Sequence, residues 1–166
     1  MNNGGHVLNA VLAIGIGYVL EPSGDVPTFV TIAKVLPAVL LGALFPDVDT
    51  SFGTHRKTLL NFFVLGLTLA YPIYFDNLQF VWLGIATHFV LDLVGTRRGL
   101  ALLYPWDAEF ALPVGIKTSS LWSVPVTLLV TSLELAAFAG IVWLVLPGPD
   151  QAALDTLFRG TTEQLI

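Results

Sequence analysis

The side chains of this sequence that could bind a metal are histidines and aspartates at six positions: His6, Asp47, Asp49, His55, His88 and Asp92. Imidazole and carboxylate groups bind zinc, manganese and iron in proteins. The chain contains no cysteine, which excludes a thiolate site. These residue types predict a divalent metal ion, with zinc or manganese favoured and magnesium as an alternative if carboxylates dominate.

His88 and Asp92 form the most informative pair. Their spacing of four residues puts both side chains on one stripe of a helix, where they can bind one ion or pair with each other. The sequence around them is strongly apolar. An ionisable side chain in such a helix usually faces the protein interior or a wet cavity and has a function. A structural polar pair between helices is the alternative interpretation.

A polar stretch contributes Asp47 and Asp49, followed by His55 and Arg56. A divalent ion lowers the pKa of a bound water toward neutrality. A carboxylate such as Asp49 would then accept the proton, and Arg56 would neutralise an oxyanion in the transition state. This combination predicts hydrolysis of an ester or phosphoester. By themselves, Asp47 and Asp49 also suit a hydrated loop, and His6 suits the start of a helix at the membrane interface.

The elements that must position these residues are membrane-spanning helices. Of 166 residues, 55% are hydrophobic and 11% are charged, and the mean hydropathy is +0.79. A helix that crosses the hydrocarbon core needs roughly 20 mostly apolar residues. The sequence predicts an all-α integral membrane protein, a bundle of about five transmembrane helices, at residues 6–20, 27–45, 58–75, 78–94 and 121–146. Together they form one transmembrane domain, 1–146, followed by a short extramembrane tail, 147–166.

The distribution of charge predicts the orientation of this bundle. Five crossings place the amino terminus and the loops 46–57 and 96–120 on the same side. Most basic residues fall on that side, namely Arg56, Lys57, Arg97, Arg98 and Lys117. By the positive-inside rule this side is cytoplasmic. We therefore expect a multi-pass protein of the plasma membrane whose amino terminus and candidate metal ligands lie at the cytoplasmic face.

Two further charged residues lie inside predicted spans. Lys34 falls in the outer half of the second helix and Glu134 near the middle of the fifth. A buried ion pair between them is one hypothesis, and a Lys34 side chain that reaches out to the interface is the other. The net charge of −5 disfavours a nucleic-acid partner. Membrane lipid is the expected partner, and self-association or a membrane-protein partner stays open.

The order of the motifs resembles the family of membrane-bound metal-dependent hydrolases, some members of which are described as LexA-binding inner-membrane proteins. The stretches that carry the resemblance lie between residues 1 and 106: His6, Phe45-Pro46-Asp47-Val48-Asp49, His55-Arg56, His88-Phe89-Val90-Leu91-Asp92, Gly99 and Pro105-Trp106. The resemblance implies a metal-dependent hydrolase. It implies a reaction class more clearly than a substrate.

One position departs from the family pattern. Leu60 stands where a second histidine is expected after His55-Arg56, and the neighbouring Asn61 offers an amide oxygen in its place. The departure favours a second hypothesis, a non-catalytic membrane scaffold or assembly subunit with a degenerate metal site. A transporter or channel is a weaker third hypothesis, because the polar residues are expected at one face of the membrane and do not line a path across it.

Overall fold

The computed structural model describes residues 3–9, 11–51, 57–75, 77–95, 97, 99–106, 108–113, 115–116 and 120–145. Within these ranges the regular secondary structure is helical, and Leu100 and Phe110 form an isolated antiparallel bridge. The α-helices are α1 (Asn3–Asn9), α2 (Leu12–Leu20), α3 (Val26–Leu44), α4 (Phe62–Phe75), α5 (Val81–Gly95) and α6 (Ser123–Gly140). A 3-10 helix (Phe45–Ser51) extends α3, and a π-helical turn (Ile141–Val145) extends α6. The predicted all-helical architecture is confirmed.

Asn61 explains why α4 begins later than predicted. Its side-chain NH2 donates to the carbonyls of Lys57 and Thr58 at 3.1 and 2.9 Å, and its oxygen accepts the N–H of Val64 at 3.0 Å. The amide therefore caps the amino terminus of α4, as asparagine commonly does. This oxygen thus has a structural role at the helix terminus, and its service to a metal ion stays a prediction.

The segment after α3 is more ordered than the predicted loop. The helical backbone does not stop at Pro46 but continues as the 3-10 helix to Ser51. Pro46 has no N–H to donate to a carbonyl one turn earlier, and the backbone changes from α-helix to 3-10 helix at this point. Because the 3-10 helix continues α3 directly, Asp47 lies toward the carboxyl-terminal, negative end of the continuous helix, where a carboxylate favours a compensating cation nearby. The 3-10 helix therefore fixes the backbone position of Asp47 relative to α3.

The core of the bundle is built where α3 crosses α5, and α3 also contacts α1 and α2. Two glycines bring the backbones of α3 and α5 together. A Cβ atom at Gly42 would overlap the carbonyl of Val81, and one at Gly84 would overlap the carbonyl of Val39. Small residues allow this close approach between helices in membranes. This crossing fixes the position of α5 along the bundle axis relative to the end of α3.

Among the residues that the structure describes, two helices have the length and composition of membrane spans. They are Val26–Val48, with 23 residues, and Ser123–Leu144, with 22 residues. Other apolar helices are shorter, including Phe62–Phe75 and Val81–Gly95. Large apolar side chains on α4, Phe63 and Tyr74 among them, are exposed. A bundle of five membrane crossings therefore stays a prediction. The predicted tail, 147–166, lies outside the described residues.

The hypothesis of a Lys34–Glu134 ion pair is wrong. Lys34 is exposed, and within the described part of the chain it forms no ion pair with Glu134. The reason is the rotation of α3, which packs through the buried stripe of Val35 and Val39. Lys34 lies next to this stripe, about 100° around the helix, and turns away from the core.

Candidate metal centre

Three helical segments bring four of the six predicted ligands together. His6 lies on α1, Asp47 on the 3-10 helix, and His88 and Asp92 on α5. One ligand atom each from His6, Asp47 and His88 lies within 4.8 Å of the others. Both imidazoles are completely buried, and Asp92 is also buried. Asp47 is the most accessible member, with 19% of its side chain exposed.

The backbone of α3 determines the tautomer of His88. Its Nδ1 lies 2.6 Å from the carbonyl oxygen of Ala43. A carbonyl only accepts hydrogen bonds, so Nδ1 carries the hydrogen and donates it. In the neutral ring, Nε2 then presents a lone pair toward the carboxylates of Asp47 and Asp92. A backbone carbonyl that accepts the other ring N–H and so orients the imidazole is the usual arrangement at histidine metal sites.

The two imidazoles are stacked on each other. The ring centroids of His6 and His88 are 3.7 Å apart and their planes differ by 8°. Two protonated rings would repel at this distance, so the stack favours at least one neutral ring. Three ring nitrogens have no hydrogen-bond partner among the described residues. They are both nitrogens of His6 and Nε2 of His88. Buried polar atoms of this kind require a ligand, a water or an ion.

The distances between imidazole and carboxylate atoms test whether a metal ion fits. Asp92 lies 3.6 Å from Nε2 of His6 and 3.7 Å from Nε2 of His88, and Asp47 lies 3.8 Å from the same His88 nitrogen. Direct charge-assisted hydrogen bonds are about 2.7–2.9 Å long. Two ligand atoms that share one tetrahedral ion with bonds of about 2.1 Å are about 3.4 Å apart. The spacing and the donor set therefore fit a divalent ion better than a direct ion pair.

Residues 1–148 match the family model described as YdjM inner membrane protein. The chain belongs to the YdjM inner membrane protein family. No curated protein and no solved structure matches it. Membership of this family indicates the predicted membrane location, whereas the hydrolase and LexA-binding parts of the resemblance stay predictions.

Three predicted site residues of this YdjM-family protein cannot be placed in the cluster. The backbone of Asp49 belongs to the 3-10 helix, but its side chain lies outside what the structure describes, as do His55 and Arg56. Their roles therefore stay predictions.

The position of Leu60 is apolar. Its side chain is completely buried in a cluster with Val81, Ile85, Phe89, Leu100 and Leu102. A histidine here would be surrounded by hydrocarbon, and burying its polar nitrogens without partners would be costly. In this YdjM-family chain, Leu60 therefore serves packing between α5 and the segment 100–102.

Two features of the centre have no signature in the sequence. The carbonyl of Ala43 orients His88, although every residue carries such a carbonyl. The stacking of His6 on His88 depends on how α1 lies against α5. The nearest sequence signal is the pair Gly42 and Gly84, since small residues mark the close crossing that brings the end of α3 to His88.

Proposed function

We propose that this YdjM-family protein is a metal-dependent hydrolase at the cytoplasmic face of the membrane. Its substrate would be a phosphoester or ester, with a lipid head group as the favoured source. The proposal is carried by one observation, the convergence of His6, Asp47 and His88 from three segments, with ligand atoms within 4.8 Å of one another. Aspartate and histidine ligands favour zinc or manganese.

The residues of the cluster would have different roles in binding the ion and the substrate. His6, Asp47 and His88 hold the ion, while Asp92 faces both imidazoles and provides either a further ligand or the charge that keeps the rings in place. When bound, a divalent ion acts as a Lewis acid toward a substrate oxygen and makes a nearby water more acidic. Asp47 is the accessible side of an otherwise buried cluster, so substrate would approach there.

The stretch after Asp47 would supply the remaining groups. Asp49 follows on the same 3-10 helix and is proposed as the proton acceptor. Arg56 is proposed to neutralise the charge that develops on the substrate oxygen. His55, beside it, is proposed as a further metal ligand. These roles need accessible side chains at the cytoplasmic membrane surface.

A topology experiment tests the orientation that the proposal requires. The native chain has no cysteine, so single cysteines report accessibility without background. Ser23→Cys and Asn77→Cys should react with an impermeant maleimide from outside intact cells, whereas Thr58→Cys should react only after permeabilisation. Labelling of Thr58→Cys from outside would contradict a cytoplasmic site, and all three variants should react in detergent as a control.

Activity is tested on purified protein in liposomes. The protein is stripped with a chelator, reloaded with zinc or manganese, and assayed for release of phosphate or fatty acid from lipid phosphoesters and esters. Release should require reloading and should be lost in His88→Ala and Asp47→Asn. Thr87→Ala is the matched control, because Thr87 is buried beside His88 and bonds only within α5. Equal release in the His88→Ala variant would contradict the proposal.

The scaffold hypothesis gives a different result in the same assay. Its supporting observation is the burial of both histidines and of Asp92, because structural metal sites are closed whereas catalytic ones keep an open position. A scaffold would retain metal in the wild-type protein but release no product from any substrate. Loss of metal in His88→Ala would then be accompanied by loss of a partner or of stability.

A further inference from the structure

The connection between α5 and α6 contains a folded segment with apolar side chains on both of its faces. The structure describes residues 99–106 and 108–113 of this segment, here called the α5–α6 loop. On the inner face, Leu100 and Leu102 are buried in the apolar cluster that also contains Leu60. On the outer face, five large apolar side chains are exposed: Leu103, Tyr104, Trp106, Phe110 and Leu112. A contiguous exposed apolar surface of this kind usually marks a contact with a membrane or another protein.

The backbone of the α5–α6 loop is held by hydrogen bonds. Leu100 and Phe110 exchange both of their N–H···O bonds, at 2.8 and 2.9 Å. The carbonyl of Leu102 accepts the N–H of Phe62, at the beginning of α4, at 2.8 Å. Two further N–H groups donate to carbonyls three residues earlier, each at 3.0 Å; they belong to Tyr104 and Trp106. Backbone groups are costly to remove from water unless they are paired, so this pairing allows the loop to lie in apolar surroundings.

The charges of the loop also suit a membrane surface. Among the described residues of its outer face, Glu109 is the only charged one, and it pairs with Lys57 at 3.2 Å. Asp107 lies outside the described residues. Arg97, between α5 and the loop, is exposed. Its guanidinium is complementary to the phosphate groups of lipids.

The span that follows the loop marks the level of the membrane surface. The candidate span Ser123–Leu144 begins directly after Trp122. Leu121 and Trp122 are exposed, at 95% and 70%. Tryptophan and tyrosine concentrate where a membrane span meets the lipid head groups. The α5–α6 loop leads toward this border and carries the same two residue types, in Tyr104 and Trp106.

We infer that the α5–α6 loop lies in the head-group layer of the membrane, with its inner face on the bundle and its outer face against lipid. Lipid is the occupant because the chain belongs to an inner-membrane protein family and because aromatic and basic side chains together suit this layer. The loop follows α5, and Asp92 lies in the last turn of that helix. For the proposed function, the loop would therefore bring lipid head groups to the end of α5 that carries Asp92.

Spin labels on single cysteines test this inference. The native chain has no cysteine, so Trp106→Cys and Leu112→Cys each carry one label in the full-length protein, reconstituted in phosphatidylcholine and phosphatidylglycerol vesicles. Collisions with oxygen report lipid, and collisions with a water-soluble nickel chelate report water. Ser23→Cys, in an exposed turn, is the control for water, and Leu67→Cys, on the exposed side of α4, is the control for hydrocarbon. Both loop labels should give an oxygen-to-nickel collision ratio several-fold above that of Ser23→Cys and below that of Leu67→Cys.

Two results would overturn the inference. A collision ratio equal to that of Ser23→Cys would place the outer face of the loop in water. Low collision rates with both reagents would show that protein covers the outer face, and spin–spin broadening would identify a second copy of the chain as that protein. Agreement between the two loop variants excludes a local effect of one substitution, and size-exclusion profiles confirm that each variant is folded. The measurement needs neither metal nor substrate, so its outcome is independent of the hydrolase proposal.

Discussion

Helices α4 and α5 are nearly equal in length, with 14 and 15 residues, and both are strongly apolar, yet their surroundings are opposite. Eight residues of α5 are buried, including Thr87, His88 and Asp92, whereas α4 has no buried residue. The side chains of α4 that point away from the bundle are large and apolar, such as Phe63 and Ile73.

The comparison teaches that apolar content does not locate the core of this protein. Lipid tails are as apolar as leucine, so a lipid-facing helix gains nothing from being polar on its outer side. Polar side chains are costly in lipid and turn inward instead. In α5 the buried face is therefore marked by Gly84, Thr87, His88 and Asp92, and α4 has no comparable stripe.

The largest expected difference in the free energy of unfolding is between two side-chain truncations, one on α5 and one on α4. Ile85 is completely buried and Phe63 is 72% exposed. Ile85→Ala should cost about 2–5 kcal/mol in the free energy of unfolding, because a cavity remains. Phe63→Ala should change it by about 0.5 kcal/mol or less. Tryptophan fluorescence during unfolding in detergent measures both. An equal loss in the two variants would mean that the outer face of α4 is covered in the native protein.

The glycines of the two helices sharpen the contrast. Gly84→Ala should destabilise the protein by about 1–3 kcal/mol, because the new methyl group would overlap the carbonyl of Val39. Nothing lies near the corresponding position of Gly66 on α4. Gly66→Ala should therefore be neutral or stabilise the helix by up to about 1 kcal/mol. Thermal unfolding of both variants checks this, and a harmless Gly84→Ala would refute the close crossing of α3 and α5.

Two carboxylates in different surroundings test the role of Asp92. Asp92→Asn removes the charge that faces both imidazoles and should weaken zinc binding about 10- to 100-fold, as loss of a group that orients histidine ligands does. Glu109→Gln is the matched control, since Glu109 is exposed and pairs with Lys57 at 3.2 Å. Calorimetric titration with zinc measures both affinities. Equal zinc affinities in the two variants would show that Asp92 does not contribute to the metal centre.

The smallest effect is expected for the Lys57–Glu109 pair itself. Both side chains are substantially exposed, at 33% and 48%, so water and salt screen their attraction. Glu109→Gln should reduce the free energy of unfolding by less than about 1 kcal/mol. A larger loss, measured by the same unfolding assay at low salt, would show that the pair holds the segment 100–110 against the residues that precede α4.

Much of the fold was predictable because the helices are separated by residues with strong local preferences. The predicted helix at 27–45 corresponds to Val26–Leu44, and the one at 78–94 corresponds to Val81–Gly95. The first predicted helix, 6–20, corresponds to the apolar helix Gly5–Leu20, whose described parts are α1 and α2.

The sequence indicated which side chains could meet, but not their geometry. The same-face argument selected six residues. The structure brings His6, Asp47, His88 and Asp92 together, and the side chains of Asp49 and His55 lie outside the described residues. The contact of Nδ1 of His88 with a backbone carbonyl depends on helix packing and has no sequence pattern. The proposed Lys34–Glu134 pair failed for the same reason, since the rotation of α3 about its axis decides where Lys34 points.

Metal content is the measurement that tests the central claim most directly. Wild-type protein and the Thr87→Ala variant, purified in detergent, stripped and reloaded in parallel, should each contain stoichiometric zinc or manganese by elemental analysis. His88→Ala should contain none while retaining its helix content. Stoichiometric metal in the His88→Ala variant, or its absence from the reloaded wild-type protein, would contradict a metal centre formed by His6, Asp47 and His88.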